Sequence, residues 1–281
     1  MLKIILPTDF SDNSWNAIFT TLKLYAKISC KFYLLHVYEP KQLNFIGKSS
    51  QQRLGIIYDS LSKYTEQELE KMLIYLNKNH INSNHSIETI SKADTLNEAL
   101  DSIIIGKDID LIAMGTQGAT GAKEIFIGST TVKVLKHIKK RPVLVIPSGY
   151  HFQQLKTLVF STNFDRAPSK SELLPLSQLA AIWKANIQIL HITSEFRLSA
   201  KQKINKERIE ERLVSIPYSH HHMAFEISLS KTIAKYIVEN EVNLMVMMRN
   251  QHSFWEKFIR EPVVKKTAFH SAIPVLMLPE G

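Results

Sequence analysis

The feature that most constrains what this chain can fold into is an internal duplication. Lys3-Ile-Ile-Leu-Pro-Thr-Asp-Phe10 has a counterpart in Thr157-Leu-Val-Phe-Ser-Thr-Asn-Phe164, and Tyr33-Leu-Leu-His-Val37 in Gln188-Ile-Leu-His-Ile192. Asp108-Ile-Asp-Leu-Ile-Ala-Met114 returns as Glu241-Val-Asn-Leu-Met-Val-Met247. Arg141-Pro-Val-Leu-Val-Ile-Pro147 returns as Ile273-Pro-Val-Leu-Met-Leu-Pro279. Matches in one order and at similar spacing mean that one folding unit is written twice.

Helical spacing fills the intervals. Trp15, Ile18, Leu22 and Tyr25 follow the cap-like Ser11-Asp-Asn-Ser14, and Leu69, Met72, Leu73 and Leu76 mark a second helix within 62–79. Leu96, Ala99, Leu100, Ile103 and Ile104 mark a third, and Thr131 to Ile138 a fourth. In the second unit helices are predicted near 168–184, 199–213, 230–240 and 262–270. The apolar runs are continuous rather than alternating, as in strands covered on both faces. Strand and helix in alternation imply an α/β fold with a parallel, doubly wound sheet. A chain of 281 residues divides into two such units, 1–148 and 154–281. Pro40 to Ile57, with Gly47-Lys-Ser-Ser50, reads as a long loop.

Other classes fall away. No window approaches the roughly 18 consecutive apolar residues that a membrane-spanning helix needs. The opening Met-Leu-Lys-Ile-Ile-Leu lacks the layout of a secretory signal and reads as the first strand. A single cysteine, Cys30, cannot close an internal disulfide and sits in a strand-like run, which fits a reducing compartment and a cytoplasmic location. The net charge of +9 invites a nucleic-acid partner, but the charge is dispersed and no recognition motif accompanies it. Its densest run, Lys136-His-Ile-Lys-Lys-Arg141, falls at a predicted helix end, where the carbonyl dipole favours cations.

The stretch with chemical content is Met114-Gly-Thr-Gln-Gly-Ala-Thr-Gly-Ala-Lys-Glu-Ile-Phe-Ile-Gly-Ser-Thr130, between a buried strand and a helix. In doubly wound sheets, ligands bind beyond the carboxyl ends of the strands. Glycines there let main-chain N–H groups approach a phosphate, and a helix opening at Gly128-Ser129 offers its free N–H groups and dipole to an anion. The same glycines could serve only to make a turn, and Asp9 only to cap the next helix. The loop is neither a Walker A nor a GxGxxG motif. The one Gly-Lys-Ser, at 47–49, has Gln42 where a Walker A requires glycine.

The spacing Gly115-x2-Gly118-x9-Gly128-Ser129 resembles the phosphate loop of the universal stress protein family. Pro7-Thr8-Asp9, the Leu-His-Val at 35–37, Asp110-Leu-Ile-Ala-Met-Gly115 and the closing Arg-Pro-Val-Leu-Val-Ile-Pro extend the resemblance. It implies two tandem Rossmann-like domains, of the adenine nucleotide alpha hydrolase-like kind, packed as an internal pseudo-dimer through 143–146 and 275–278. It implies that Pro7, Thr8 and Asp9 lie beside the nucleoside and that Val37 lines the adenine pocket. Met114 and Gly115 would approach the ribose and first phosphate, with Gly118, Gly128, Ser129 and Thr130 holding the phosphates. The implied ligand is ATP or another adenine nucleotide, with Mg²⁺ or Mn²⁺ arriving on its phosphates; the chain shows no metal cluster of its own.

The second half departs from the pattern. Met248 and Gln251 stand where Gly115 and Gly118 stand, Arg260-Glu261 replaces Gly128-Ser129, and Asn163 replaces Asp9. Side chains fill the space of the phosphates and Glu261 repels them, so this half is expected to bind no ATP, although Arg249 and Arg260 suit some other anion. His220-His-His222 cannot all converge on one ion from a strand. His36 and His191 recur at equivalent strand ends, as fold positions would. No catalytic residue is identified. The leading expectation is a regulatory nucleotide-binding stress-response protein. The alternatives are a nucleotide-independent interaction module and a slow ATPase; under any of these, two chains could associate further as a homodimer.

Overall fold

A computed structural model describes residues 1–38, 48–116, 128–193, 197–224, 229–249 and 273–280. The first unit runs β1 (Leu2–Pro7), α1 (Asp12–Leu24), β2 (Cys30–Val37), α2 (Lys48–Asn79), β3 (His85–Lys92), α3 (Leu96–Lys107), β4 (Leu111–Gly115), α4 (Ser129–His137) and β5 (Val143–Ile146). The second repeats it as β6 (Thr157–Ser161), α5 (Lys170–Trp183), β7 (Asn186–Thr193), α6 (Ala200–Leu213), β8 (Tyr218–Ala224), α7 (Leu229–Glu239), β9 (Leu244–Met248) and β10 (Val275–Leu278).

All ten strands form one sheet, in the order β3-β2-β1-β4-β5-β10-β9-β6-β7-β8. Each half is parallel and doubly wound. The halves meet at the antiparallel β5–β10 pair, with Leu276 opposite Leu144 and Val275 opposite Val145. The expected α/β tandem with an internal pseudo-dimer seam is therefore what the chain forms, and each half covers what would otherwise be the other's exposed strand edge. Both faces are buried. One carries Ile4, Phe32, Leu144, Phe160 and Leu276 under α1, α2, α5 and α6. The other carries Ile5, Ile112, Val145, Met245 and Met277 with α3, α4 and α7.

Local chemistry sets the helix starts. Ser11 accepts the Ser14 N–H at 3.3 Å to open α1. Ser169 with Glu172, and Ser199 with Gln202, form reciprocal capping boxes on α5 and α6. Side-chain locks cross between the halves. Trp183 Nε1 donates to Leu24 O at 2.9 Å while Lys27 Nζ lies 4.2 Å over the same ring. Within the second half, Asn243 Oδ1 accepts the N–H groups of Lys156 and Thr157 at 2.7 and 2.9 Å, pinning the entry to β6.

Two readings need correction or completion. The stretch 48–57, read as loop, is the start of α2. Its sequence is polar for six residues before Leu54, so no apolar stripe announces a helix. β3 was absent from the sequence pattern because it is an outer strand whose residues are mostly half-buried. The helix expected at 262–270 lies outside the described residues. Cys30 is fully buried in β2, and burial pushes its thiol up to about 12. Among the described residues no helix is long and apolar enough to cross a membrane.

Candidate functional site

In the first half β1 is followed by β2 on one side and flanked by β4 on the other, so the chain reverses its winding direction between β1 and β4. The carboxyl ends splay apart at that reversal and leave a crevice. A cavity of about 340 Å³ sits there, near the lower limit for pockets that hold drug-sized ligands. β1 contributes Pro7, and Thr8 and Asp9 beyond it; β2 contributes Leu35, His36 and Val37; β4 contributes Met114 and Gly115. Ser14 of α1, Leu96 of α3, and Thr130 and Thr131 of α4 complete the wall.

The β1 end is held by its own hydroxyl. Thr8 N–H donates to Leu35 O at 2.8 Å, and Thr8 Oγ1 accepts the Phe10 N–H at 3.0 Å. That turn holds Phe10 at a φ of 65°, a left-handed conformation uncommon for an aromatic residue. Thr8 Oγ1 also lies 2.9 Å from Ser14 Oγ. Asp9, exposed at the cavity mouth, accepts from Ser11 Oγ at 2.5 Å and from the Ser11 N–H at 3.2 Å. His36 is oriented by donating from Nδ1 to Thr8 O at 2.8 Å, and the Phe10 ring stacks on it at 4.4 Å. With Nδ1 so committed, Nε2 of the neutral ring is left as an acceptor.

The β4 side is held by hydrogen bonds to main-chain carbonyls. Thr131 Oγ1 donates to Gly115 O at 2.9 Å, Thr116 N–H donates to Ile146 O at 2.9 Å, and Gly128 N–H donates to Thr116 O. These bonds fix the start of α4 beside the end of β4. Gly128 caps α4 without any side-chain hydrogen bond, and the first turn holds no acidic residue. No carboxylate of that turn neutralises its N–H groups and dipole.

Of the residues proposed from sequence, Pro7, Thr8, Asp9, Val37, Met114, Gly115 and Thr130 line the cavity. Gly128 and Ser129 stand at the α4 start beside Thr130, and Gly118 lies outside the described residues. Sequence reasoning passed over Ser14, Leu35, Leu96 and Thr131 and treated His36 as a fold position. Leu35 and His36 precede Val37 on the same strand and were within reach. Ser14, Leu96 and Thr131 enter through packing between elements far apart in the chain.

The second half carries the same frame with other contents. Thr162 Oγ1 accepts the Phe164 N–H at 3.0 Å, and Phe164 takes a φ of 59°. Yet Asn163 O accepts from Gln202 Nε2 at 2.9 Å, which brings α6 against Asn163. At the place of Ser14 stands Glu172, paired with Arg166 at 2.6 and 2.9 Å. Burial works against that carboxylate, but Arg166 and Ser169 more than offset it and hold its pKa below the ordinary value. His191 is 4% exposed, and burial, with His222 beside it, pushes its pKa down. The three consecutive histidines diverge: His220 lies 2.6 Å from Glu210 on α6, His221 packs on Tyr236 of α7, and His222 packs on His191.

Residues 1–147 match the model of the universal stress protein family. A curated universal stress protein of Methanocaldococcus jannaschii is 33% identical over 163 residues, covering 51% of this chain and 93% of that protein. A solved universal stress protein of Archaeoglobus fulgidus shares the fold with a TM-score of 0.62 at 18% identity, covering 99% of this chain and 96% of its own. A functionally unknown Pseudomonas aeruginosa protein does so at 0.55 and 12% identity, covering 99% of this chain and 92% of its own.

Proposed function

The chain belongs to the universal stress protein family, and from that premise we propose that it is a cytoplasmic stress-response protein whose N-terminal half, 1–148, binds ATP or a related adenine nucleotide as a regulatory ligand. The observation that carries the reading is the cavity at the β1–β4 reversal, bounded on one side by a helix N-terminus that has no carboxylate in its first turn. The apolar wall of Leu35, Val37 and Met114 suits a base. Asp9 at the mouth suits ribose hydroxyls. Gly115, Gly128, Ser129 and Thr130 suit the phosphates, because main-chain donors meet them without a competing side chain. Gly118 belongs with them by its spacing. A Mg²⁺ or Mn²⁺ ion enters on the phosphates rather than on a protein cluster.

The C-terminal half, 154–281, binds no ATP in this reading. Met248 fills the place of Gly115, and Glu172 puts a carboxylate where the first half has a hydroxyl. Nucleotide occupancy of one half then acts on the whole chain through the shared sheet, since β5 and β10 bind the two halves edge to edge.

The test is Ser129→Glu, which copies Glu261 into the first half. Ser129 is exposed in the first turn of α4, where a carboxylate favours the helix, so the fold is retained while the phosphates are repelled. ATP with Mg²⁺ raises the melting temperature of the wild type and leaves that of Ser129→Glu unmoved. An equal rise in both proteins refutes the placement of the phosphates.

A further inference from the structure

Among the described residues, Glu172 and Arg249 are the buried side chains of Asp, Glu, Lys or Arg. Glu172 has its partner in Arg166. Arg249 does not: it is 5% exposed, and Nε, Nη1 and Nη2 all lack a hydrogen-bond partner among the described residues. A guanidinium keeps its charge at any ordinary pH and carries five donors in a rigid fork. An interior tolerates such a group only when it is paired or ligated.

Its place in the fold says what it is for. Met248 pairs with Leu278 at the end of β9, and Arg249 follows at once, at the position that Thr116 holds in the repeat of the first half. It thus stands at the carboxyl end of the second parallel half of the sheet, where a doubly wound fold presents its ligands. Glu280, two residues past β10, contributes a favourable field, but among the described residues it makes no hydrogen bond to the Arg249 guanidinium. Burial lowers the guanidinium pKa to about 10, with Glu280 opposing the shift, so the group remains cationic at neutral pH.

We propose that Arg249 is the recognition residue of a second ligand site, which takes a small oxyanion, a phosphate group or a carboxylate, in bidentate fashion at the carboxyl end of β9. The second half has exchanged a main-chain phosphate cradle for a single guanidinium fork. Its ligand is smaller than a nucleotide, because Met248 stands where the first half has Gly115. The site is independent of nucleotide binding in the first half.

The experiment uses the full chain carrying Ser129→Glu, so that phosphate binding in the first half does not contribute. Inorganic phosphate and acetate are titrated separately, at constant ionic strength in chloride, by calorimetry and by thermal shift. One equivalent of phosphate or acetate binds, and whichever does so names the oxyanion. Adding Arg249→Met weakens that binding at least tenfold, and Arg249→Lys, which keeps the charge but loses the fork, weakens it less. In oxyanion-free buffer Arg249→Met melts no lower than its parent, because an unpartnered buried charge has been removed. Binding of neither probe, or equal binding in Arg249→Met, overturns the proposal. So does Arg249→Met melting well below its parent in oxyanion-free buffer, which identifies the arginine as an internal structural partner. If Arg249→Met fails to fold, binding in Arg249→Lys equal to its parent overturns it as well.

Discussion

Thr8 and Thr162 offer a controlled experiment inside one molecule. Each is 7% exposed, and each accepts the N–H of a phenylalanine two residues on at 3.0 Å, which fastens that residue in a left-handed turn. Only Thr8 lines the cavity and touches Ser14 Oγ, at 2.9 Å. Replacement by Val keeps the shape and removes the hydroxyl. In Thr162→Val the fully buried Phe164 loses its N–H partner, at a cost of about 2 kcal/mol within the 1–3 kcal/mol range for a stranded buried donor. In Thr8→Val the Phe10 N–H is less buried, but the Ser14 contact goes too. Two bonds at roughly 1 kcal/mol each again give about 2 kcal/mol. At about 2 °C per kcal/mol for a chain of this length, both variants melt about 4 °C below wild type. Their nucleotide affinities differ. Thr8→Val loosens the turn that presents Asp9 and weakens ATP binding about tenfold, the worth of one hydrogen bond of about 1.4 kcal/mol. Thr162→Val leaves ATP binding unchanged. Circular dichroism melts paired with ATP titrations read both quantities. If the two variants lose ATP affinity equally, the cavity at the first half is not the nucleotide site. If neither melts lower, the hydroxyl-held turn does not carry the stability assigned to it.

Further outcomes follow from particular contacts. Asp9→Asn, which copies Asn163, weakens ATP binding severalfold while leaving the melting temperature within about 1 °C of wild type, as expected for an exposed side chain; calorimetry and a thermal melt check both. Trp183→Phe deletes the Nε1 bond to Leu24 O and weakens the Lys27 contact, costing about 1–2 kcal/mol by the worth of those contacts; a urea midpoint equal to wild type contradicts it. His80, His85, His191, His220 and His221 all have pKa values held below 6.5, in each case chiefly by burial. A depressed histidine favours the fold while neutral, so stability is full above the ordinary value and declines as pH falls below it. The urea midpoint therefore drops between pH 7.5 and pH 5.5, and a constant midpoint refutes the shifts.

Much of this was legible because the chain states it twice. The pairs Thr8–Phe10 and Thr162–Phe164, and the runs at 143–146 and 275–278, reveal strand ends and seam strands by recurrence. Buried parallel strands announce themselves through unbroken apolar runs, so β1, β4, β6 and β9 were plain. β3 was not, since Ser86, Glu88 and Thr89 interrupt its pattern. The start of α2 was hidden for a related reason, because Lys48 to Arg53 carries no apolar residue. At the site, residues contiguous with a motif were readable. Ser14, Leu96 and Thr131 were not, because their place depends on how α1, α3 and α4 pack on the strand ends. Arg249 looked like one substitution among several in a degenerate loop; only its burial without a partner sets it apart.

The most direct measurement is the calorimetric stoichiometry of ATP with Mg²⁺ on wild-type protein freed of co-purified nucleotide. One nucleotide per chain is predicted, from a live first half beside a second half closed to ATP. Two per chain would show that Met248, Glu172 and Gln202 do not close the second site. None, on protein shown to be folded, would contradict nucleotide binding by this chain altogether.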